Sequence, residues 1–275
     1  MTFMSNFVDQ YGPWALVAGG AQGIGAGYAR YLAAQGLNIA VIDNVAEALD
    51  DFLPGLASEH GVETLGLCLD LAQQDLLERI IYGLEGREIG MLVYNAAIAD
   101  FGPFYKEGGS LELEKARVAV NVSGPMALSY HFGKSMLRRK AGGIILMSSG
   151  AGFQGSPYYA HYSATKAYDI ALAQALWYEF KPYNVDVLAC VAGMTLSTAA
   201  KGYQHLDTSQ FQTVEDLVEE AMTALGQQST LIASASQREG RELLDQLPID
   251  QKIEAMAMHP ITNFLDGKVP DQHYD

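Results

Sequence analysis

Trp14-Ala15-Leu16-Val17-Ala18-Gly19-Gly20-Ala21-Gln22-Gly23-Ile24-Gly25 is an apolar run that ends in a cluster of glycines. The run from Trp14 to Ala18 suits a strand buried on both faces, and the segment from about Ile24 to Gln35 reads as a helix stopped by Gly36. A strand, a glycine turn and a helix in that order make an anion site. Glycine lets the backbone come close to a pyrophosphate, and the free N–H groups of the first helical turn point at it. Gly19, Gln22, Gly23, Ile24 and Gly25 are therefore candidate contacts to a dinucleotide. The plainer alternative is a tight turn with no ligand.

The same alternation continues along the chain. Ile39 to Asp43 reads as a second strand with an acidic end, followed by a helix from about Ala46 to His60 that Pro54-Gly55 either splits or bends. Further strands are expected at Val62 to Leu69, Met91 to Tyr94, Gly143 to Met147, Val185 to Val191 and Thr230 to Ala233. Helices are expected from about Gln73 to Leu84, Glu112 to Arg138 (carrying Asn121), around Tyr162 and Lys166, and from Val214 to Leu225. Apolar strands alternating with helices predict an α/β fold, a doubly wound parallel sheet of seven strands with helices on both faces. One domain over residues 1–275 is expected, with a C-terminal segment from about Gln237 that is helical as far as Pro260 and loose beyond it.

Composition narrows the partners. The chain has 275 residues, of which 49% are hydrophobic and 18% charged, enough to bury a large core. The formal net charge of −15 argues against nucleic acid and anionic lipid surfaces. No apolar run is long enough to span a membrane, and the N-terminus lacks a signal-peptide pattern, so a cytoplasmic location is expected. Cys68 and Cys190 fall in strands that a 3-2-1-4-5-6-7 order places on opposite sides of the sheet, so they are expected to be buried and unlinked.

Asp43 ends the second strand, where a carboxylate can accept from both adenosine ribose hydroxyls and would repel a 2′-phosphate. No Arg or Lys lies in the glycine turn or just after Asp43, so NAD is expected rather than NADP. Asp70, with Leu71, is placed to meet the adenine edge or, alternatively, to cap the following helix. Asn95, Ala96 and Ala97 end the fourth strand, where small residues let a cofactor pass close to the sheet.

The chemistry comes from Tyr162 and Lys166, four residues apart on one helix face, and from Ser149 at the end of the fifth strand. Interconverting an alcohol and a carbonyl needs a proton donor or acceptor at the oxygen. Tyrosine, with an ordinary pKa of about 10, is a poor base until a nearby cation favours the phenolate. Lys166 supplies that charge, Ser149 can bond the substrate oxygen from the other side, and Asn121 can hold a water linking Lys166 to solvent. A packed tyrosine beside a solvated lysine is the alternative for the pair taken alone. His161 points about 100° away from Tyr162 and is expected to be a surface or packing residue.

Over roughly residues 12 to 235 the chain resembles single-domain members of the short-chain dehydrogenase/reductase family. The resemblance rests on Gly19-x-x-x-Gly23-x-Gly25, Asn95-Ala96-Ala97, Asn121, Ser149 and Tyr162-x-x-x-Lys166. It implies a Rossmann-type sheet of seven strands, NAD(P)(H), an Asn-Ser-Tyr-Lys tetrad and a lysine that also binds the nicotinamide ribose. Tyr162 and Lys166 thus count among the cofactor contacts, and by the same spacing Ser197 or Thr198 meets the carboxamide. It implies in addition a homodimer or homotetramer built on the helices of Asn121 and Tyr162. Ala18 stands where the family has threonine, Ile98 where it has glycine and Ala192 where it has proline. These changes are expected to untie the glycine turn from the fourth strand, to narrow the space near the nicotinamide and to loosen a loop.

The loops after the fourth, fifth and sixth strands offer Phe101, Phe104, Tyr105, Phe153, Tyr158, Tyr159, Met194 and Leu196 as pocket residues, with no Arg or Lys in the fifth-strand loop. A hydrophobic secondary alcohol or ketone is the expected substrate. The rival readings are an NADP-dependent carbonyl reductase and a non-catalytic NAD(H)-binding regulator.

Overall fold

A computed structural model describes residues 3–197, 208, 211–265 and 267–273. Its first half runs α1 (Phe3–Tyr11), β1 (Trp14–Ala18), α2 (Gly23–Ala34), β2 (Asn38–Asp43), α3 (Ala46–His60), β3 (Thr64–Cys68), α4 (Leu76–Leu84), β4 (Ile89–Tyr94) and α5 (Leu111–Val118). A π-helical turn (Ala119–Ser123) joins α5 to α6 (Gly124–Arg139), followed by β5 (Gly142–Ser149), α7 (Ala160–Phe180) and β6 (Val185–Ala192). A small pair, β7 (Thr195–Leu196) with β8 (Gln212–Thr213), precedes α8 (Val214–Ala224), β9 (Thr230–Ile232), α9 (Ala235–Asp245) and α10 (Ile249–Phe264).

The main sheet has seven strands in the order β3-β2-β1-β4-β5-β6-β9, all parallel. This is the Rossmann-type architecture expected from the sequence. Alternate residues of β1 feed opposite faces: Ala15 and Val17 enter one core, Trp14, Leu16 and Ala18 the other. Each fully buried aliphatic side chain contributes about 1.5–3 kcal/mol, which is why the near-continuous apolar strands specify a sheet covered on both sides. The chain leaves β1 for β2 on one side and returns to β4 on the other. The crevice outside the carboxyl ends of β1 and β4 is therefore open to a ligand.

Several expectations need correction. Pro54 does not split α3, because Leu49, Leu53 and Leu56 hold one buried face of the helix while Pro54 and Gly55 lie on its exposed side. The helix expected from Glu112 to Arg138 is interrupted by the π turn that contains Asn121. Helix α10 does not stop at Pro260 but passes through it to Phe264, with Pro260 and Ile261 buried against the molecule. Cys190 is buried as expected, whereas Cys68 is exposed, because β3 is an edge strand whose residues are covered only in part. Helix α1 has no clear signal in the sequence. It is held from outside itself, by Tyr11 Oη donating to Asp186 Oδ2 at 2.7 Å and by Gln10 Nε2 donating to Asn184 O at 2.9 Å.

Candidate active site

The glycine turn is built for close approach. Gly19 has φ +72° and a Cβ there would stand 2.9 Å from Ala96 Cα, while a Cβ at Gly25 would stand 2.0 Å from Gly19 O. The tie to β4 survives the missing threonine: Asn95 N and Ala96 N donate to Ala18 O at 3.0 and 2.9 Å, and Asn95 Nδ2 donates to Gly19 O at 2.8 Å. Gln22 is the N-cap of α2 without a side-chain cap bond, so the first-turn N–H groups of α2 are available to an anion. Asp43 accepts from Ala21 N (3.2 Å) and Val45 N (3.3 Å), which fixes its carboxylate beside the turn. Asp70 Oδ1 accepts from Ala72 N at 2.9 Å, and the Leu71 side chain is buried in a core.

From this turn a cleft of about 490 Å³ extends over the ends of β4, β5 and β6. Ile24, Asn95, Ser149, Tyr162, Lys166 and Ser197 line it together with Phe101, Phe153, Tyr159 and Met194. The other aromatic candidates lie elsewhere: Phe104 and Tyr105 are exposed, as is Leu196, and Tyr158 is absent from the lining. Thr198 falls outside the described residues. Ile98 does not narrow the cleft. Asn95, Ala97 and Ala99 face the cleft, while the side chain of Ile98 packs against the core.

Helix α7 is stitched to β5 at the reacting end. Ser148 Oγ donates to Lys166 O at 2.8 Å and Lys166 Nζ donates to Met147 O at 2.7 Å. The short turn after β5 comes so near α7 that a Cβ at Gly152 would lie 2.6 Å from the carbonyl carbon of Lys166. Lys166 Nζ stands 5.8 Å from the centre of the Tyr162 ring. Ser149 Oγ accepts from Ala151 N at 3.3 Å, leaving the hydroxyl proton to be donated into the cleft. Asn121, 1% exposed, accepts from Ile98 N (2.8 Å) and donates to Ile98 O (3.0 Å) and Thr165 Oγ1 (3.0 Å). The π turn thus braces the segment after β4 against α7. His161 has its Nδ1 3.2 Å from Glu114 Oε2 and lies over Phe104, a packing role as expected.

Two features escaped the sequence reading. Helices α9 and α10 line the cleft with Arg241, Leu244, Met256, His259 and Phe264, although nothing in their amphipathic pattern says what they cover. Arg241 lies 4.3 Å over the Phe153 ring and is paired with Asp245, and burial lowers the His259 pKa. The rings of Tyr162, Tyr159, Phe101 and Phe264 form a continuous stack, with centroids 4.3, 4.0 and 4.0 Å apart. The second is Asp169, 2% exposed, which accepts from Lys166 Nζ at 3.0 Å. Its i+3 spacing from Lys166 was a legible signal.

The fold and this cleft define a dinucleotide-dependent oxidoreductase, for which the turn, the hydroxyls of Ser149 and Tyr162 and the ammonium of Lys166 form a fitting set. Residues 13–205 match the family model for short chain dehydrogenases, and the chain belongs to the short-chain dehydrogenase/reductase family. It is 28% identical over 237 residues to a 7β-hydroxysteroid dehydrogenase of Clostridium sardiniense, covering 85% of this chain and 90% of that one. It is 34% identical over 180 residues to a very-long-chain 3-oxoacyl-CoA reductase of Anas platyrhynchos, covering 64% and 57% of the two chains. A solved 7β-hydroxysteroid dehydrogenase matches with a TM-score of 0.85 at 26% identity, covering 90% and 98%. A short-chain dehydrogenase of Sphingobium yanoikuyae, solved with NADPH, matches with a TM-score of 0.71 at 25% identity, covering 85% and 94%. Among the described residues no helix is long and apolar enough to cross a membrane.

Proposed function

We propose that this chain is an NAD(H)-dependent enzyme that interconverts a bulky hydrophobic secondary alcohol, of the hydroxysteroid class, and its ketone. The carrying observation is the apolar, aromatic cleft that ends on Ser149, Tyr162 and Lys166. It suits a rigid ring system, and similarity to the 7β-hydroxysteroid dehydrogenases supports that class. Gly19, Gly23 and Gly25 with the start of α2 hold the pyrophosphate, Asp43 the adenosine ribose, Asp70 and Leu71 the adenine side, Asn95 and Ala96 the turn, and Ser197 the carboxamide. The bound dinucleotide supplies or accepts the hydride. Tyr162 gives a proton to the substrate oxygen in reduction and takes it back in oxidation, while Ser149 orients that oxygen. Lys166 holds the nicotinamide ribose and favours the phenolate, and Asn121 keeps α7 and the segment after β4 in register.

The choice of NAD rests on the Asp43 carboxylate, which repels a 2′-phosphate. A preference for NADP is favoured by similar structures that hold NADPH or NADP, the Sphingobium relative among them. Fluorescence titration with NADH and NADPH decides between them. A panel of hydroxysteroids, simple cyclic alcohols and small hydroxy acids, followed by the absorbance of reduced nicotinamide, tests the substrate. Strong turnover of small acids with none of the bulky alcohols overturns the class. Cofactor binding without any turnover favours a regulator. We further read the chain as one domain in the cytoplasm that pairs through α6 and α7, where Met126, Tyr130 and Tyr178 are exposed. Sedimentation at the mass of a single 29.7 kDa chain overturns the pairing.

A further inference from the structure

Asp169 is a buried acid, 2% exposed, paired with a buried lysine. It lies one turn beyond Lys166 on α7, with Oδ2 accepting from Lys166 and Oδ1 without a hydrogen-bond partner among the described residues. The titratable groups that face it are Lys166 and Tyr168 of its own helix and the Tyr94 hydroxyl of β4. Tyr94 donates to Val120 O at 2.6 Å, so it does not satisfy the bare oxygen. Burial raises the Asp169 pKa, with the charge and hydrogen bond of Lys166 opposing. A buried carboxylate with one oxygen unpaired costs stability, and an apolar residue of similar volume would fill the place without that cost.

The charge acts through Lys166. An ammonium has three donors. One goes to Met147 O at 2.7 Å and one to Asp169 Oδ2 at 3.0 Å, so a single N–H is left for the cleft that Lys166 lines. The pair also weakens the field that a lone buried lysine would project into the cleft, while the ammonium, which lines the cleft itself, stays nearer to it than the carboxylate, which does not. That matters to a ligand whose two redox states differ in charge, since an oxidised nicotinamide ring is cationic and a reduced one is neutral. We propose that Asp169 is a positioning residue that fixes Lys166 with one free donor and, as its buried counter-charge, favours the oxidised dinucleotide over the reduced one. The inference rests on reading the cleft as a dinucleotide site.

The test is the ratio of dissociation constants, oxidised over reduced, measured by calorimetry and fluorescence without substrate. Asp169→Asn keeps the shape and an acceptor for Lys166 but removes the charge. It is expected to raise the ratio about three- to tenfold, as a like-charge interaction across a few ångströms would, with the melting temperature held or raised. Lys166→Met leaves the carboxylate without its partner and, measured at alkaline pH so that the buried acid stays charged, is expected to lower the ratio. The double variant Lys166→Met with Asp169→Asn, neutral as the native pair is in sum, is expected to return it toward the wild-type value. A lost ribose hydrogen bond weakens both redox forms alike and cancels in the ratio. Should Asp169→Asn not fold, the other two variants still decide. Equal ratios in all folded variants overturn the inference while the proposed function stands. A wild type that binds neither form overturns the proposed function itself.

Discussion

The ring of Phe101, in the segment after β4, lies on the ring of Phe264, at the end of α10, with centroids 4.0 Å apart and planes 11° from parallel. The stack continues through Tyr159 to Tyr162. Helix α10 is therefore joined, through the intervening rings of Phe101 and Tyr159, to the residue assigned the proton transfer. Phe264→Ala removes one such contact, worth about 0.5–1.5 kcal/mol beyond the lost burial. The expected result is a three- to tenfold rise in KM for bulky alcohols with a smaller change in kcat. Equal losses on small and bulky substrates would contradict it.

Tyr162→Phe keeps the ring and the stack but removes the hydroxyl. It is expected to lower kcat by about 10²- to 10⁴-fold, the usual contribution of a positioned acid or base. Dinucleotide affinity and melting temperature should stay close to wild type. A variant that keeps a tenth or more of the rate would remove Tyr162 from the chemistry.

Gly25→Ala places a methyl 2.0 Å from Gly19 O, a backbone atom with no freedom to move aside. Overpacking of this kind costs about 1–3 kcal/mol, and here the strain falls on the turn that faces the pyrophosphate. Dinucleotide affinity is expected to drop at least tenfold, more than the stability loss alone would produce. Titration of the variant with NADH, alongside its thermal melt, separates the two effects.

Asp43→Ala removes the carboxylate that accepts from Ala21 N and Val45 N. Binding of NADH should weaken and the discrimination against NADPH should fall about tenfold, read as the ratio of the two dissociation constants. An unchanged ratio would mean that another group sets the preference.

Glu220 links α8 to the start of α9. Burial alone would raise its pKa, but bonds from Ser234 N, Arg238 and Gln212 and the charge of Arg238 bring it below the ordinary 4.5. A depressed folded value means stabilisation that is present above 4.5 and lost as pH falls through the folded value. Wild-type melting temperature is therefore expected to fall below about pH 4.5 partly through this group. Glu220→Gln should show a flatter acid limb, and an identical pH profile in the variant would count against the link.

How much of this could be read from the chain differs by element. The sheet was legible because the apolar strand runs, the glycine turn and the helix stops agreed with one another at every level. That Ser149, Tyr162 and Lys166 share one cleft was legible because the first ends a strand and the other two share one helix face; the π turn around Asn121 was not, since a one-residue insertion leaves no mark in composition. The pocket aromatics were legible in part: Phe101, Phe153 and Tyr159 line the cleft as expected, whereas a loop residue such as Phe104 is placed by contacts with His161 and Tyr105 that no local pattern encodes. The cover formed by Arg241, Met256 and Phe264 was hidden for the same reason: docking far along the chain leaves no local periodicity. Cys68 misled because its apolar run was read as buried although the expected strand order already put β3 at an edge, where one side of the strand lacks a neighbour.

The π turn at Ala119–Ser123 has a consequence for counting. One residue more than a regular α-helix needs sets α5 and α6 about 100° out of phase. Upstream, Arg117 reaches Asp100 at 3.0 Å; downstream, Leu128, Phe132 and Met136 enter the core; between them Asn121 grips Ile98. Deleting a single residue in this stretch would leave charge and hydropathy almost untouched. It would still rotate one half of the helix off its partners, so the insertion indexes the cleft and the core to each other.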